Sequence, residues 1–197
     1  GMIATNAGGS RAVKYGTIRN YVRGLEVVTA AGDILTLGGK LIKSSTGYNL
    51  MNLIIGSEGT LGIVTRAIIQ LLAQPPVLRS LVVPFDTLEQ AIEAVPKILA
   101  RQIVPVAIEF AGLDTIAITE KFLNKRWPTH AGTAHLLVIL DAATDEEQDR
   151  LSQVVAEVCL EQGALDVFIA DTPGKQSEIL AIRSSIYDAI KAESAEL

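Results

Sequence analysis

The segment Gly56-Ser57-Glu58-Gly59-Thr60-Leu61-Gly62-Ile63-Val64-Thr65 is the most distinctive stretch of this 197-residue chain. Its three glycines allow backbone conformations that other residues rarely adopt, and they let the main chain approach a ligand closely. The glycine spacing fits neither a dinucleotide-binding fingerprint nor a phosphate-binding Walker loop. The residues alone leave two interpretations open: a surface loop of tight turns, or a loop that contacts a cofactor through its backbone.

A comparable segment, Gly1-Met2-Ile3-Ala4-Thr5-Asn6-Ala7-Gly8-Gly9, opens the chain. Small residues beside its glycines let backbone N–H groups face an anion or a flat ring without obstruction. Between the two segments, Leu25–Ala30 and Ile34–Leu37 flank a glycine-containing turn, which predicts a β-hairpin. Ile63–Leu71 predicts a further strand, so the first part of the chain is expected to be rich in strands and tight turns.

The chain changes character near Gln74-Pro75-Pro76, where glycine turns give way to alternating strand and helix patterns. Strands are predicted at Arg79–Phe85, Val104–Phe110, Leu136–Asp141 and Val167–Ala170, and helices at Thr87–Ala100, Asp114–Leu123, Thr144–Gln162 and Gln176–Ala195. Asp86 is the predicted N-cap of the first of these helices. The β-α-β, β-α-β order is typical of a ferredoxin-like α+β sandwich. Because prolines stiffen linkers, we expect two domains, at 1–74 and 77–197.

The bulk composition argues against several classes of protein. Seventeen basic residues against 22 acidic ones, without a cluster of Lys and Arg, give no basic surface for nucleic acid. The longest apolar runs, such as Leu136–Leu140, are far shorter than the ~20 residues of a transmembrane helix. The single cysteine, Cys159, cannot form an internal disulfide, so we expect a reducing, cytoplasmic location.

Three runs of sequence carry a resemblance to a known family: GMIATNAGGSRAVKYG (1–16), RGLEVVTAAGDIL (23–35) and STGYNLMNLIIGSEGTLGIVTRAIIQLL (45–72). Together they resemble the second half of the FAD-binding domain in the vanillyl-alcohol-oxidase, or p-cresol-methylhydroxylase-type, superfamily. The resemblance is closest to the branch that contains glycolate oxidase and FAD-linked D-lactate dehydrogenase. It implies an α+β fold in which this half-domain is followed by the first part of a ferredoxin-like cap domain on the substrate side.

The resemblance also implies which residues line the FAD site. In the family, the loops that match these two glycine segments contact the flavin cofactor, largely through the backbone. The implied cofactor-binding residues are Ala4, Thr5, Asn6, Ala7, Glu58, Gly59, Thr60, Leu61, Gly62, Ile63 and Val64. Outside this motif, Glu58 would be interpreted as a solvated or capping carboxylate.

Arg183 is the implied substrate-binding residue. In the family, a Trp-x-x-Arg motif near this point supplies an arginine that binds the substrate carboxylate. Arg183 matches that arginine, but Leu180 stands where the tryptophan is usual. A guanidinium group suits bidentate recognition of a carboxylate. The residue alone fits an exposed helix arginine equally well.

The resemblance implies an FAD-dependent oxidoreductase that converts a small 2-hydroxy acid, of the glycolate or D-lactate type, to a 2-oxo acid. Flavin supplies the redox chemistry in such enzymes, and no Ser-His-Asp set or activated cysteine is recognisable in the sequence. No catalytic residue is therefore assigned. A pyrophosphate-binding loop of the family has no counterpart in this sequence, so we expect the chain by itself to bind FAD weakly and to be inactive.

Partners and metals complete these expectations. The resemblance suggests an iron–sulfur electron-transfer subunit, which would place the enzyme peripherally at the inner membrane, and half an FAD domain should expose apolar surface that favours a homo-oligomer. No metal site is expected, because His130 and His135 have no carboxylate or cysteine cluster at metal-ligand spacing. Two alternatives stay open: a non-catalytic module that folds and oligomerises without flavin, and a flavoenzyme of this superfamily with another substrate, such as a sugar lactone.

Overall fold

The computed structural model describes residues 1–45 and 47–194 and divides the chain into two compact units, Gly1–Gln74 and Pro75–Leu197. Each unit contains an antiparallel sheet with accompanying helices, which confirms the expected α+β class. Thr46, in the third run quoted above, and Ala195, the predicted end of the last helix, lie outside the described residues.

The first unit is built on a three-stranded sheet. Its strands are β1 (Val22–Val28), β2 (Ile34–Gly38) and β3 (Ile63–Ile69), in the order β2-β1-β3, and its helices are the short α1 (Ala12–Tyr15) and α2 (Leu50–Ile54), with a 3₁₀ turn at Ile18–Asn20. β1 pairs antiparallel with both neighbours, so the predicted hairpin is confirmed. The predicted strand after the glycine segment is also present.

Residues on one face of this sheet form a small core. Leu25 and Val27 of β1 are buried against Ile54 and Ile55, which end α2 and follow it. Alternate residues of a strand point to opposite faces, and the opposite face is open. Ile34 and Ile63, which both pair with Val28, are each 68% exposed. The first unit therefore buries one face of its sheet.

The second unit contains four strands and five helices. They are β4 (Val77–Phe85), α3 (Leu88–Ala100), β5 (Ala107–Gly112), α4 (Leu113–Leu123), β6 (Ala134–Ala142), α5 (Asp145–Glu161), β7 (Phe168–Ala170), α6 (Pro173–Ser184) and α7 (Ile186–Glu193). All pairs are antiparallel and the strand order is β5-β6-β4-β7. This is the predicted ferredoxin-like arrangement, with α4 added between the second and third strands.

Helices cover both faces of the second sheet. On one face, Leu81, Leu136 and Val138 pack with α3 and α5 in a continuous core. On the other face, Leu137 and Ile139, the neighbours of those residues in β6, are also buried, at 2% and 3% exposure. A sheet that is buried on both faces gives nearly continuous apolar strands, as the run from Leu136 to Leu140 shows.

Three local predictions were wrong. The N-cap of α3 is Thr87, not Asp86, because the Thr87 hydroxyl accepts the Gln90 amide while the Gln90 side chain accepts the Thr87 amide. The strand expected at Val104–Phe110 begins at Ala107, since Pro105 has no N–H to give to a ladder. The helix expected over Gln176–Ala195 is interrupted at Ser185, whose φ of −101° and ψ of 4° are not helical.

α5 is the longest helix and spans 17 residues. Its first turn carries Asp145, Glu146 and Glu147, whose negative charges interact favourably with the positive N-terminal end of the helix dipole. Thr144 is its N-cap. Within the described part of the chain, no helix combines the length and the apolar character that crossing a membrane requires.

Candidate cofactor loops and a candidate carboxylate site

The two glycine segments lie side by side in the first unit, although 46 residues separate Gly9 from Gly56 in the sequence. The Glu58 amide donates to the Ala4 carbonyl at 2.8 Å, and the Gly56 amide donates to the Ile3 carbonyl at 3.1 Å. Within the first segment, the Ala7 amide donates to the Met2 carbonyl at 2.9 Å and closes a turn. Backbone hydrogen bonds therefore join the two segments at Ile3–Gly56 and Ala4–Glu58.

The second loop has an unusual backbone conformation. Glu58 has a φ of 51°, and Gly56 and Gly59 have φ values of 86° and 81°. The left-handed region costs a non-glycine residue about 1–2 kcal/mol, so surrounding contacts must hold Glu58 there. Thr60 supplies two of them, because its amide and its hydroxyl both donate to the Ser57 carbonyl, at 3.0 and 2.6 Å.

Arg19 connects the two loops, and sequence reasoning did not single it out. Its guanidinium donates to the carbonyls of Asn52 at 2.8 Å and Ile55 at 2.7 Å, at the end of α2. Its own amide donates to the side-chain oxygen of Asn6 at 3.3 Å. Arg19 lies outside both motifs, and its guanidinium binds backbone carbonyls, which every residue has. The sequence alone therefore could not identify it.

The loop residues fit a flavin dinucleotide. A Cβ added at Gly59 would have no atom within 4 Å, so the space beside this glycine is open. Among the described residues, the amides of Gly59 and Leu61 have no hydrogen-bond acceptor. Unobstructed amides of this kind suit a pyrophosphate or the edge of a flat ring. FAD contains both groups, and these residues would hold it through the main chain.

The remaining predicted cofactor residues differ in their surroundings. A Cβ at Gly62 would lie 2.7 Å from Val27 Cγ1 and 2.8 Å from the Val28 carbonyl, so this glycine allows the loop to pack on β1. Val64 is half-buried against the core, whereas Ile63 points to the open face of the sheet. Gly62 and Val64 therefore support the loop from behind rather than presenting an open surface.

Arg183 lies on α6 in the second unit, where it forms a two-point ion pair with Glu109 of β5. Its Nε donates to Glu109 Oε2 at 2.5 Å, and its Nη2 donates to Glu109 Oε1. The side chains of Arg183 and Glu109 are 37% and 21% exposed. Arg183 is thus held by an acidic partner at the surface of the unit, and Glu109 is a second residue that the sequence did not reveal.

Both histidines belong to a polar network around Trp127 in the second unit. His135 is fully buried and its Nδ1 accepts the Trp127 indole N–H at 2.8 Å, and burial lowers the pKa of His135. Glu120 accepts the Trp127 amide at 2.5 Å and contacts His130 Nε2 at 2.7 Å. Burial raises the pKa of Glu120, but these hydrogen bonds outweigh it and leave the pKa below its ordinary value.

The other reactive side chains offer no metal or nucleophilic site. Within residues 1–45 and 47–194, no three His, Cys, Asp or Glu side chains gather at metal-binding distance. Cys159 is fully buried in the core, and burial raises the pKa of its thiol to about 12. A thiol with that pKa is not a nucleophile at neutral pH.

The matches to known protein families fall in different units of the chain. Residues 74–196 match the family described as FAD linked oxidases, C-terminal domain, and residues 1–38 match the one described as FAD binding domain. The chain belongs to the FAD linked oxidases. FAD is the cofactor of this family, so the resemblance and the cofactor expected from the sequence are both confirmed.

Two curated proteins illustrate how this FAD linked oxidase chain relates to longer enzymes. It is 43% identical over 197 residues to a D-lactate dehydrogenase of Archaeoglobus fulgidus, covering 100% of this chain and 43% of that protein. It is 37% identical over 190 residues to the glycolate oxidase subunit GlcD of Bacillus subtilis, covering 96% of this chain and 40% of that protein. The chain thus spans less than half the length of these relatives.

Solved structures support the FAD linked oxidase fold. An alkyldihydroxyacetonephosphate synthase superposes with a TM-score of 0.68 at 22% identity, covering 95% of this chain and 37% of that one. A p-cresol methylhydroxylase with substrate bound gives a TM-score of 0.63 at 19% identity, covering 85% and 40%. At these identities the likeness concerns the fold alone, and it supports the expected α+β fold.

Proposed function

We propose that this FAD linked oxidase takes part in oxidising a small 2-hydroxy acid, of the glycolate or D-lactate type, to the corresponding 2-oxo acid. The observation that carries the proposal is Arg183, a guanidinium that Glu109 fixes at the surface of the second unit. Relatives named D-lactate dehydrogenase and glycolate oxidase subunit match nearly the whole chain. Lactate and glycolate each carry a single carboxylate, which is the group that an arginine recognises best.

The proposal divides the binding task between the two units. In the first unit, Ala4–Ala7 and Glu58–Val64 form the FAD site, and Gly59 and Leu61 offer it their backbone amides. In the second unit, Arg183 binds the carboxylate of the hydroxy acid. Bound FAD would supply the two-electron redox chemistry that oxidation of a hydroxy acid requires. The arginine has no part in that chemistry: it orients the acid, so its loss should affect substrate affinity more than cofactor content.

Flavin reduction and steady-state kinetics in a protein extended to the full length of the relatives test this function. D-lactate or glycolate should bleach the visible absorbance of the flavin, while lactamide, which has no carboxylate, should not. Arg183→Ala should raise the substrate KM by tenfold or more, about 1.4 kcal/mol of lost binding, and leave the flavin content unchanged. An unchanged KM would remove Arg183 from the substrate site, and bleaching by lactamide would refute the acid specificity.

A second candidate function is a module that associates without flavin, and the open face of the first sheet favours it. Ile34 and Ile63 both pair with Val28 of the central strand and are both largely exposed. Apolar surface of this kind is usually covered by a partner, and we propose that a second copy of the chain covers part of residues 1–73. Sedimentation should show a dimer or larger assembly that Ile63→Lys disrupts. A monomer at high concentration would contradict this proposal.

We further propose an iron–sulfur electron-transfer partner and a cytoplasmic location. GlcD is named as a subunit of glycolate oxidase, which supports operation with other chains. The free, buried Cys159 suits a reducing compartment. Co-purification of the full-length protein with an iron–sulfur subunit, and fractionation of cells, would test the two statements separately.

A further inference from the structure

The ion pair between Arg183 and Glu109 is built on two rigid elements of the second unit. Glu109 lies in β5 and pairs in register with Leu137 of the central strand β6. Arg183 follows the fully buried Ile182 on α6, and Gln176 ties the same helix to the sheet by donating to the Leu78 carbonyl at 2.6 Å. Both side chains are therefore attached to rigid backbone, and the ion pair with Glu109 fixes the position of the guanidinium.

The geometry of the pair leaves three of the five guanidinium N–H groups without an acceptor among the described residues. An arginine has five N–H groups in a planar fork. Glu109 takes the Nε–H and one hydrogen of Nη2, which is the side edge of the fork. The two hydrogens of Nη1 and the second hydrogen of Nη2 have no acceptor among the described residues. One hydrogen of Nη1 and the second hydrogen of Nη2 point in the same direction and form the end edge of the fork, which can bind a second carboxylate with two parallel hydrogen bonds.

We propose that Glu109 is a positioning residue that holds Arg183 by its side edge, so that the end edge of the guanidinium binds the carboxylate of the hydroxy acid. This inference rests on the proposed function and deepens it. A long arginine side chain loses rotamer entropy when it binds an anion from a mobile state. Glu109 removes that freedom before the acid arrives, so its loss weakens the binding of the acid although Glu109 does not touch it.

NMR of the Arg183 Nε–H signal in the full chain tests the inference, because this group reports both the ion pair and the bound acid. Glu109→Gln should shift this signal and increase its exchange with water. Titration with D-lactate should shift it to saturation in the wild type, with D-lactamide as the uncharged control. We expect Glu109→Gln to raise the apparent Kd for D-lactate by about tenfold, equivalent to about 1.4 kcal/mol, and Glu109→Asp to restore part of the affinity.

Three controls separate the possible failures. Asp149→Asn removes a carboxylate that pairs with Arg79 elsewhere in the same unit, and it should leave lactate binding unchanged. Unchanged Trp127 fluorescence should show that the Glu109 variants fold. Equal or tighter lactate binding in Glu109→Gln would overturn the inference, since Glu109 would then be neutral or would compete with the acid. If lactate shifts the Arg183 signal in no variant, including the wild type, the proposed carboxylate site itself fails and this inference fails with it.

Discussion

In both sheets, successive side chains alternate between the two faces, but the second sheet is covered on both faces and the first on only one. In β6 of the second unit, the neighbours Leu136 and Leu137 are exposed by 0% and 2%, so both faces are buried. In β3 of the first unit, Val64 is half-buried against the core while its neighbour Ile63 is 68% exposed. One sheet is the centre of a complete core, and the other is covered on one side.

This difference is matched by a difference in the kind of binding site. In the second unit, Glu109 of β5 and Arg183 of α6 form an ion pair, so the binding site proposed there depends on side chains. In the first unit, the proposed FAD site consists of glycine loops, in which the amides of Gly59 and Leu61 have no acceptor among the described residues, so that site depends on the backbone. Backbone sites depend on the conformation of a few loop residues, and side-chain sites depend on the rigidity of the elements beneath them. The two units should therefore respond differently to mutation.

The largest expected effect is the loss of core residues from the second unit. Leu136→Ala and Leu137→Ala should each lower the free energy of unfolding by about 2–5 kcal/mol, since each empties a buried site on a different face. Urea unfolding followed by the fluorescence of Trp127, the single tryptophan, measures this unit. Leu160→Ala, at a position 52% exposed, is the control and should change stability by less than about 0.5 kcal/mol.

Corresponding substitutions in the first unit should have unequal effects on its stability. Ile55 is 2% exposed and Ile63 is 68% exposed, so Ile55→Ala should destabilise the unit by about 2–5 kcal/mol and Ile63→Ala by less than about 0.5. Hydrogen exchange of the β1 amides measures this unit. A large cost for Ile63→Ala would mean that the open face is covered in solution, which would break the comparison and support association through that face.

A smaller effect is expected from the arginine that joins the cofactor loops. Arg19→Ala removes the two hydrogen bonds that the guanidinium donates to the carbonyls of Asn52 and Ile55. Amide exchange should increase in residues 2–8 and 56–62, and the Kd for added FAD, measured by flavin fluorescence, should rise. Arg66→Ala is the control, because the Arg66 side chain is 81% exposed and should leave both quantities unchanged. Unchanged exchange in Arg19→Ala would show that the loops hold their shape without it.

Much of the fold followed from local sequence patterns, because the information is local. The hairpin around Gly32 and the strand after Gly62 were correct, since turn residues and β-branched runs act within a few positions. The interruption of the predicted helix Gln176–Ala195 at Ser185 was missed because no proline or glycine marks it. Arg19 and Glu109 were missed for another reason: their partners lie more than 30 positions away, and only tertiary structure brings them together.

The next effect depends on pH and concerns the covered sheet. Burial lowers the pKa of His135, so between its folded pKa and the ordinary value of about 6.5 the unfolded chain binds more protons. Stability should therefore fall as the pH decreases below about 6.5, by at most about 1.4 kcal/mol per pH unit. His135→Gln should flatten this slope in Trp127-monitored urea unfolding, whereas His130→Gln should keep it. A slope that persists in His135→Gln would assign it to another group.

The smallest expected effect tests whether ion pairs at the surface of the covered unit matter for its stability. Arg79 pairs with Asp149 and, at 3.3 Å, with Asp145, but the two carboxylates are 67% and 77% exposed. Water screens such pairs, and each is worth about 0–1 kcal/mol. Asp145→Asn and Asp149→Asn should therefore each lower the free energy of unfolding by less than about 1 kcal/mol, and added salt should shrink the difference from wild type. A cost above about 2 kcal/mol that is insensitive to salt would mean that a partner buries this face in solution. The second unit would then resemble the first, whose open apolar face we propose to be covered by a second copy of the chain.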